Sequence, residues 1–318
     1  MEIVSLPDAE RRPRRLAVGT FDGVHLGHRA VIAGADSVLT FEPHPVSVVA
    51  PEHTPKLLTS FATRAQLIAA LGVEELIVIP FSAEFAARSA ESFIDDVLVG
   101  ALSAQRVSVG ENFRFGNRAQ GTPALLDADG RFETVVHPLL EVGGEIVSSS
   151  HIRGLVAAGE VAGAERFLGA PFELRGEVVH GDARGRQLGF PTANLIPDDR
   201  LVCPGHGVYA CLATIAAGAP GGALDGAPAA LEGTAVAAAV NVGVRPTFVT
   251  GRGELVEAYL LDFQEDLYGR QLRLRFLQRL RGERRFESVD ALVEQMGRDV
   301  EQTRSVAGTR HAASASLS

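Results

Sequence analysis

At 318 residues the chain is too long for one hydrophobic core, which rarely grows past roughly 250–300 residues, so about two domains are expected. Hydrophobic residues make up 46% and charged residues 22%, which excludes wholesale disorder, and no run approaches the roughly 18 apolar residues of a membrane-spanning helix. The net charge of −9 argues against a nucleic-acid polymer as partner but leaves room for a small anion held locally by arginines or helix N-termini. Residues 1–19 lack the basic, apolar and small-residue order of a signal peptide, so the chain reads as cytoplasmic, with no membrane partner and with a homo-oligomer left open. Lys56 is the only lysine, which excludes a phosphate loop of the GxxxxGK[ST] type. Cys203 and Cys211 fit neither a CxxC pair nor a zinc spacing and read as buried free thiols.

In chain order, four apolar runs read as buried strands: 15–19, 37–41, 75–80 and 106–110. Helical patterns lie between the later ones, over 61–71, closed by Gly72, and over 90–102. Strands alternating with helices imply a parallel, doubly wound sheet, whose ligands sit at the carboxyl ends of the strands. After about residue 170 the runs 173–179, 207–215, 235–242, 255–263 and 271–277 follow one another with turns and no helix between them, which predicts an antiparallel barrel or sandwich. Val289, Leu292, Val293, Met296 and Val300 keep helical spacing on one face, with Ser288 as N-cap, so a closing helix is expected. The Ala/Gly/Pro-rich stretch 216–234 reads as a flexible hairpin loop. These patterns divide the chain into a domain over 1–156, a helical connector over 157–170, a second domain over 171–306 and a disordered tail over 307–318.

Two clusters carry chemistry. Gly19-Thr-Phe21-Asp22-Gly23-Val-His25-Leu-Gly27-His28 directly follows the first predicted strand. Its glycines permit a sharp turn, and the next helix would aim its first N–H groups at whatever binds there. Two imidazoles three residues apart on that turn suit phosphate oxygens, although a half metal site or a plain pair of helix-face histidines fits the spacing as well. In Pro191-Thr192-Ala-Asn194 a hydroxyl and an amide carbonyl are hard oxygens suited to Mg²⁺ shared with ATP phosphates; a turn whose side chains bond their own backbone is the alternative. The serine run ahead of His151-Ile-Arg153 taken alone could be a helix cap, and a strand glutamate such as Glu257 ordinarily faces solvent.

These residues also carry a resemblance. TFDGVHLGH resembles the HxGH nucleotidyltransferase motif as it occurs in prokaryotic bifunctional riboflavin kinase/FAD synthetases. Phe41-Glu-Pro-His-Pro45 resembles that family's FEPHP segment, Gly110-Glu-Asn-Phe-Arg-Phe-Gly116 its GxDFRFG flavin loop with Asn112 in place of Asp, and Val147-Ser-Ser-Ser-His-Ile-Arg153 its SSTxIR segment with Ser150 in place of Thr. Further on, residues 176–195 resemble GxVxxGxxxGRxLGFPTANL, and 239–248 resemble xxNxGxRPTF. Glu257 aligns with the family's catalytic glutamate, and Asp266-Leu-Tyr-Gly269 and 279–286 follow in the expected places.

The resemblance implies a Rossmann-like nucleotidyltransferase domain followed by a six-stranded antiparallel barrel with a terminal helix. It implies that the chain phosphorylates riboflavin to FMN with ATP and adenylylates FMN to FAD, releasing pyrophosphate, with Mg²⁺ accompanying ATP. By the same pattern Gly19, Phe21, Asp22, Gly23, His25, His28, Ser149, Ser150 and Arg153 surround the ATP phosphates of the adenylyltransferase, with His25, His28 and Arg153 catalytic. Asn112 and Arg114 lie near its flavin. Gly181, Gly185, Gly189, Thr192 and Asn194 hold the kinase's ATP, Thr192 and Asn194 its metal, and Glu257 is its base. One departure stands out: the first crossover must fit within residues 23–36, only 14 residues, which shortens the βα unit carrying the histidines. A riboflavin kinase with an impaired first domain is therefore the nearer alternative, and a non-catalytic flavin-binding protein the more distant one.

Overall fold

The computed structural model describes residues 1–180, 189–215, 235–245, 253–263 and 265–315. It divides into two compact units, Met1–His151 and Ile152–Ser318, the division falling inside the helix Ser149–Ala158.

The first unit is built on β1 (Glu2–Ser5), β2 (Arg14–Val18), β3 (Ser37–Glu42), β4 (Glu75–Pro80), β5 (Ala104–Gly110) and β6 (Glu133–His137), ordered β1-β4-β3-β2-β5-β6 with every neighbouring pair parallel. Alternate residues of each strand enter separate apolar layers. Leu16, Val18, Leu39, Ile77 and Ile79 pack with Phe93, Val97 and Leu98 on one face. Ala17, Val38 and Leu76 pack with Val31, Ala65 and Ile68 on the other. Both faces are thus covered, which is why these strands read as unbroken apolar runs. From β2 the chain winds outward through β3 and β4, then returns to place β5 on the other side of β2. The order therefore reverses between β2 and β5, and the crevice at a reversal point is where such sheets bind ligands.

The short crossover closes. A helix of seven residues, Leu26–Ile32, buries Val31 and Ile32 and returns the chain so that Leu16 pairs with Ser37. The predicted helix over 90–102 begins as Ala90–Ser92, capped by the Ser89 hydroxyl, and continues as a π-type segment over Phe93–Ala101. β1, β6 and the small hairpin of β7 (Glu141–Val142) and β8 (Glu145–Ile146) were not expected from the sequence; all are short, and β6, β7 and β8 hold no fully buried residue.

The second unit holds the helix Val161–Leu168 and a closed antiparallel barrel. Its strands are β9 (Phe172–Val179), β10 (Ala193–Leu195), β11 (Gly207–Ile215), β12 (Val236–Arg245), β13 (Gly253–Leu260) and β14 (Gln271–Arg281), in the order β10-β13-β12-β11-β14-β9. The interior is filled by Val178, Leu195, Tyr209, Cys211, Val240, Val242, Val256, Ala258, Leu274 and Phe276, with the Tyr209 and Phe276 rings edge to face at 5.3 Å. Cys211 is buried there and Cys203 partly exposed; both are free thiols, and burial pushes the Cys211 thiol well above its ordinary range. The stretch 216–234 lies outside the described residues.

Three expectations are corrected. The terminal helix runs from Val289 to Ala315, past the point where a disordered tail is predicted, because Ala307 buries itself on Leu212 and Leu277 and Arg310 pairs with Glu165 at 2.6 Å. Its most buried positions are Asp299, Thr303 and Ala307, whereas Val289 is exposed. Asp299 is drawn inward by Arg281, which donates to both carboxylate oxygens at 2.8–3.1 Å. The strand expected over 255–263 ends at Leu260, and Asp262 sits in the following turn at φ 57°, paired with Arg304 at 2.6 Å.

Candidate active sites

The first site lies at the carboxyl end of β2. The loop 19–25 passes through three positive-φ residues, Phe21, Gly23 and Val24, and is buried almost throughout. Asp22 holds its shape. One carboxylate oxygen accepts from the backbone N–H of Leu58 at 2.9 Å and of Thr59 at 3.1 Å, while Thr59 Oγ1 accepts from Gly23 N at 3.1 Å. Through these bonds Asp22 shapes the loop. At Gly23 only glycine fits, because a Cβ would lie 2.7 Å from a Leu58 methyl at φ 83°.

His25 caps the helix Leu26–Ile32, its Nδ1 accepting from His28 N at 3.2 Å. That bond leaves the ring proton on Nε2. The His28 ring stacks on His25 with centroids 3.5 Å apart and planes at 16°, and the Phe21 ring meets it edge-on at 5.4 Å. Gly27 permits the stack, since a Cβ there would lie 3.3 Å from the His25 ring. Burial lowers His25 from 6.5 to about 4, and burial, aided by His25 and Arg64, pushes His28 well below 6.5. Both rings are therefore neutral at pH 7.

This neutrality has a cost in acid. A folded-state pKa below the unfolded value means the unfolded chain binds more protons, so this stability is intact above pH 6.5 and lost as pH falls toward 4. For His25 alone the loss is about 3 kcal/mol. All three tyrosines lie in the second unit, so far-UV circular dichroism and tyrosine fluorescence separate the two units in urea titrations. The transition seen by circular dichroism alone should shift to lower urea between pH 7 and pH 4, and His25→Gln should flatten that dependence. An unchanged pH slope in the variant would show that His25 is not the group.

Ser149 joins this site by donating its hydroxyl to the Asp22 carbonyl at 2.9 Å. Ser148 takes the capping role, accepting from His151 N at 3.2 Å, so cap and site contact fall to successive serines. Ser150 is exposed in the first helical turn, and Arg153 follows on the same helix, four residues after Ser149. Asn112 and Arg114 lie on the loop after β5, the strand across the reversal from β2. Both are exposed; Asn112 Oδ1 folds back over Gly110, and Arg114 donates to the Phe113 carbonyl at 2.7 Å. Phe113 stacks on Phe115 at 5.5 Å, and Phe115 packs on Phe93.

The sequence reading missed Arg64. It is fully buried, bonded to Glu42 of the FEPHP segment at 2.7 Å, with Nε and Nη1 lacking partners among the described residues. A lone arginine in a helical pattern gives no signal of this. Only its ion pair with a motif glutamate does.

The second site lies on the outer face of the barrel. Asn194 of β10, Glu257 of β13 and Asn241 of β12 are direct cross-strand neighbours and form one row. Their strand neighbours Val240, Val242, Val256 and Ala258 point into the core, so the row points outward. Asn194 is buried and donates from Nδ2 to the Thr192 carbonyl at 3.4 Å. The turn-like bond foreseen for this segment therefore forms, and among the described residues Asn194 Oδ1 has no donor. Phe190 meets Tyr259 edge-on at 5.3 Å and pins the approach to β10. Gly189 sits at φ 86°, a conformation that favours glycine. Gly181 and Gly185 lie outside the described residues. Asn241 is a second residue the sequence reading passed over, although it stands in the NxG pattern.

The first unit thus carries an imidazole pair at the reversal point of its parallel sheet, and the barrel a carboxylate between two amides, an arrangement of an enzyme class with a polar site in each unit. A family model described as FAD synthetase matches residues 8–151, and one described as riboflavin kinase matches 168–307. The chain is 37% identical over 310 residues to the bifunctional riboflavin kinase/FMN adenylyltransferase of Escherichia coli K12, covering 93% of this chain and 94% of that one. It is 35% identical over 303 residues to the protein of that name from Bacillus subtilis, covering 90% of each. The crystal structure of a macrolide-efflux protein from Streptococcus pneumoniae has the same fold, with a TM-score of 0.84, 31% identity and coverage of 96% of this chain and 99% of that one. Among the described residues no helix is long and apolar enough to cross a membrane. The chain belongs to the bifunctional riboflavin kinase/FMN adenylyltransferase family.

Proposed function

We propose that the barrel phosphorylates riboflavin to FMN with ATP, and that the first unit moves AMP from ATP onto FMN, releasing pyrophosphate and giving FAD. The domain bounds 1–156 and 171–306, with a connector between, go with this reading, as do small-molecule substrates in the cytoplasm. The observation that supports it best is that each family model covers one unit, and that motif residues distant in sequence converge there.

In the barrel Glu257 accepts the proton of the riboflavin 5′-hydroxyl as its oxygen attacks the γ-phosphorus and ADP leaves. The Thr192 hydroxyl and the Oδ1 of Asn194, the cross-strand neighbour of Glu257, are hard oxygens, a donor set that suits Mg²⁺. A bound Mg²⁺ would neutralise phosphate charge as it moves to the leaving oxygen. In the first unit the neutral pair His25 and His28 offers N–H donors to the phosphate oxygens where negative charge builds, on a loop already fixed before substrate arrives. Ser149, Ser150 and Arg153 are assigned there by their motif, and Asn112 and Arg114 to the flavin.

The direct test is incubation with riboflavin, ATP and Mg²⁺ followed by chromatographic separation of riboflavin, FMN and FAD. FMN and FAD together are expected. FMN alone would favour an impaired first unit, which the seven-residue helix keeps open, and neither product would favour a flavin-binding protein. For the metal assignment, Asn194→Ala should raise the Mg²⁺ concentration needed for half-maximal kinase rate and leave FAD formation from supplied FMN intact. An unchanged Mg²⁺ titration would remove Asn194 from the metal.

A further inference from the structure

Glu257 stands on an outward strand face, half-buried, with three rotatable bonds between its carboxylate and the backbone. A base is useful only if its oxygen is held toward the hydroxyl it serves, so something must fix that carboxylate. Its two cross-strand neighbours are both asparagines. The Asn194 amide nitrogen is committed to the Thr192 carbonyl. The Asn241 amide nitrogen instead donates to Glu257 Oε2, at 3.5 Å, and among the described residues it is the one side-chain donor to that carboxylate.

We infer that Asn241 is a positioning residue of the kinase, holding the Glu257 carboxylate through its side-chain amide. The inference rests on the reading of Glu257 as the base. The chemistry of the donor supports it. An arginine or lysine at this point would orient the carboxylate too, but as an ion pair it would sap its basicity strongly; a single hydrogen bond from a neutral amide orients it at a smaller loss of basicity. The surroundings fit as well. Position 243, two residues along β12 on the same face, is glycine, and a Cβ there would lie 2.8 Å from Glu283 Oε1 and 3.7 Å from Asn241 Nδ2. The glycine thus leaves room for the Glu283 carboxylate beside the row. Among the described residues the titratable groups beside the row are Glu283 across Gly243 and Tyr259 two residues along β13; the facing residues of β10 and β12 are the two asparagines.

The test uses the full chain with Asn241→Ala and the near-isosteric Asn241→Asp, each assayed for kcat and KM of riboflavin phosphorylation across pH. Asn241→Ala should lower kcat by on the order of tenfold, the loss of one hydrogen bond to a charged group, with KM for ATP unchanged. Asn241→Asp sets a second carboxylate beside the first, so the acid limb of its pH–rate profile should move to higher pH, with activity partly recovered in alkali. The limb shift reports that residue 241 lies within reach of the Glu257 carboxylate, and the fall in kcat at unchanged KM in Asn241→Ala reports that it positions that carboxylate. FAD formation from supplied FMN and the tyrosine-monitored unfolding transition report that both units are folded; if Asn241→Ala loses the barrel transition, Asn241→Asp decides alone. A wild-type kcat and acid limb in Asn241→Asp would overturn the inference. Near-wild-type turnover in Glu257→Gln would instead overturn the base assignment on which it rests.

Discussion

Glu257→Gln is expected to lower riboflavin kinase turnover by roughly two orders of magnitude or more, with little change in ATP affinity. The substitution keeps the side chain's shape and an oxygen able to accept from Asn241, but replaces the basic carboxylate that takes the hydroxyl proton with a non-basic amide. A primary alcohol is a poor nucleophile at neutral pH, so this proton transfer is where the glutamate contributes. The register sets Glu257 next to Asn194, a proposed metal ligand, so on the proposed reading one carboxylate would serve both the hydroxyl and the phosphate. Asp262 supplies the control. Its carboxylate is exposed in a turn and paired with Arg304 of the terminal helix, away from the row, so Asp262→Asn should leave turnover near wild type. Turnover close to wild type in Glu257→Gln would leave catalysis to positioning alone.

His28→Ala is expected to reduce FAD formation from FMN by roughly 10²–10³-fold while FMN formation from riboflavin continues. Truncation removes one of two stacked imidazoles and empties the space between His25 and Phe21, so the remaining ring loses the surface that orients it. The backbone bond from residue 28 to His25 Nδ1 survives, which separates loss of the ring from loss of the helix cap. Simultaneous loss of both activities would contradict two independent sites. Because the histidines sit on a helix of only two turns, the wild-type adenylyltransferase is expected to be slower than the kinase.

Much of this was legible in the sequence because parallel strands buried on both faces and antiparallel barrel strands leave different spacings of apolar runs. Motifs anchored by backbone requirements were equally legible: Gly23 is needed for its φ, and Gly27 for the stacking of His25. Polar residues buried by a partner remote in the chain left no trace. Arg64 reads as an ordinary helix-face cation until Glu42 is seen beside it, and Asp299 is buried on the face that carries the half-buried Leu292, Met296 and Val300, a polar position that apolar periodicity does not reveal. The exposed edges escaped for a related reason. Strands of four or five residues with half their side chains in solvent carry too little apolar periodicity to stand out.

Those edges also separate the two units in their hazards outside the native state. The barrel is closed, so among the described residues every strand has a neighbouring strand on each side and the barrel has no edge strand to recruit another chain. The sheet ends at β1 and β6, each with one unpaired side. Both are short, and Glu2 and Glu133 place a carboxylate on each, which disfavours edge-to-edge growth. Val136, 42% exposed on β6, is the weak point in that protection. Intermolecular strand addition during refolding should therefore start at the first unit's β6 edge and not from the barrel.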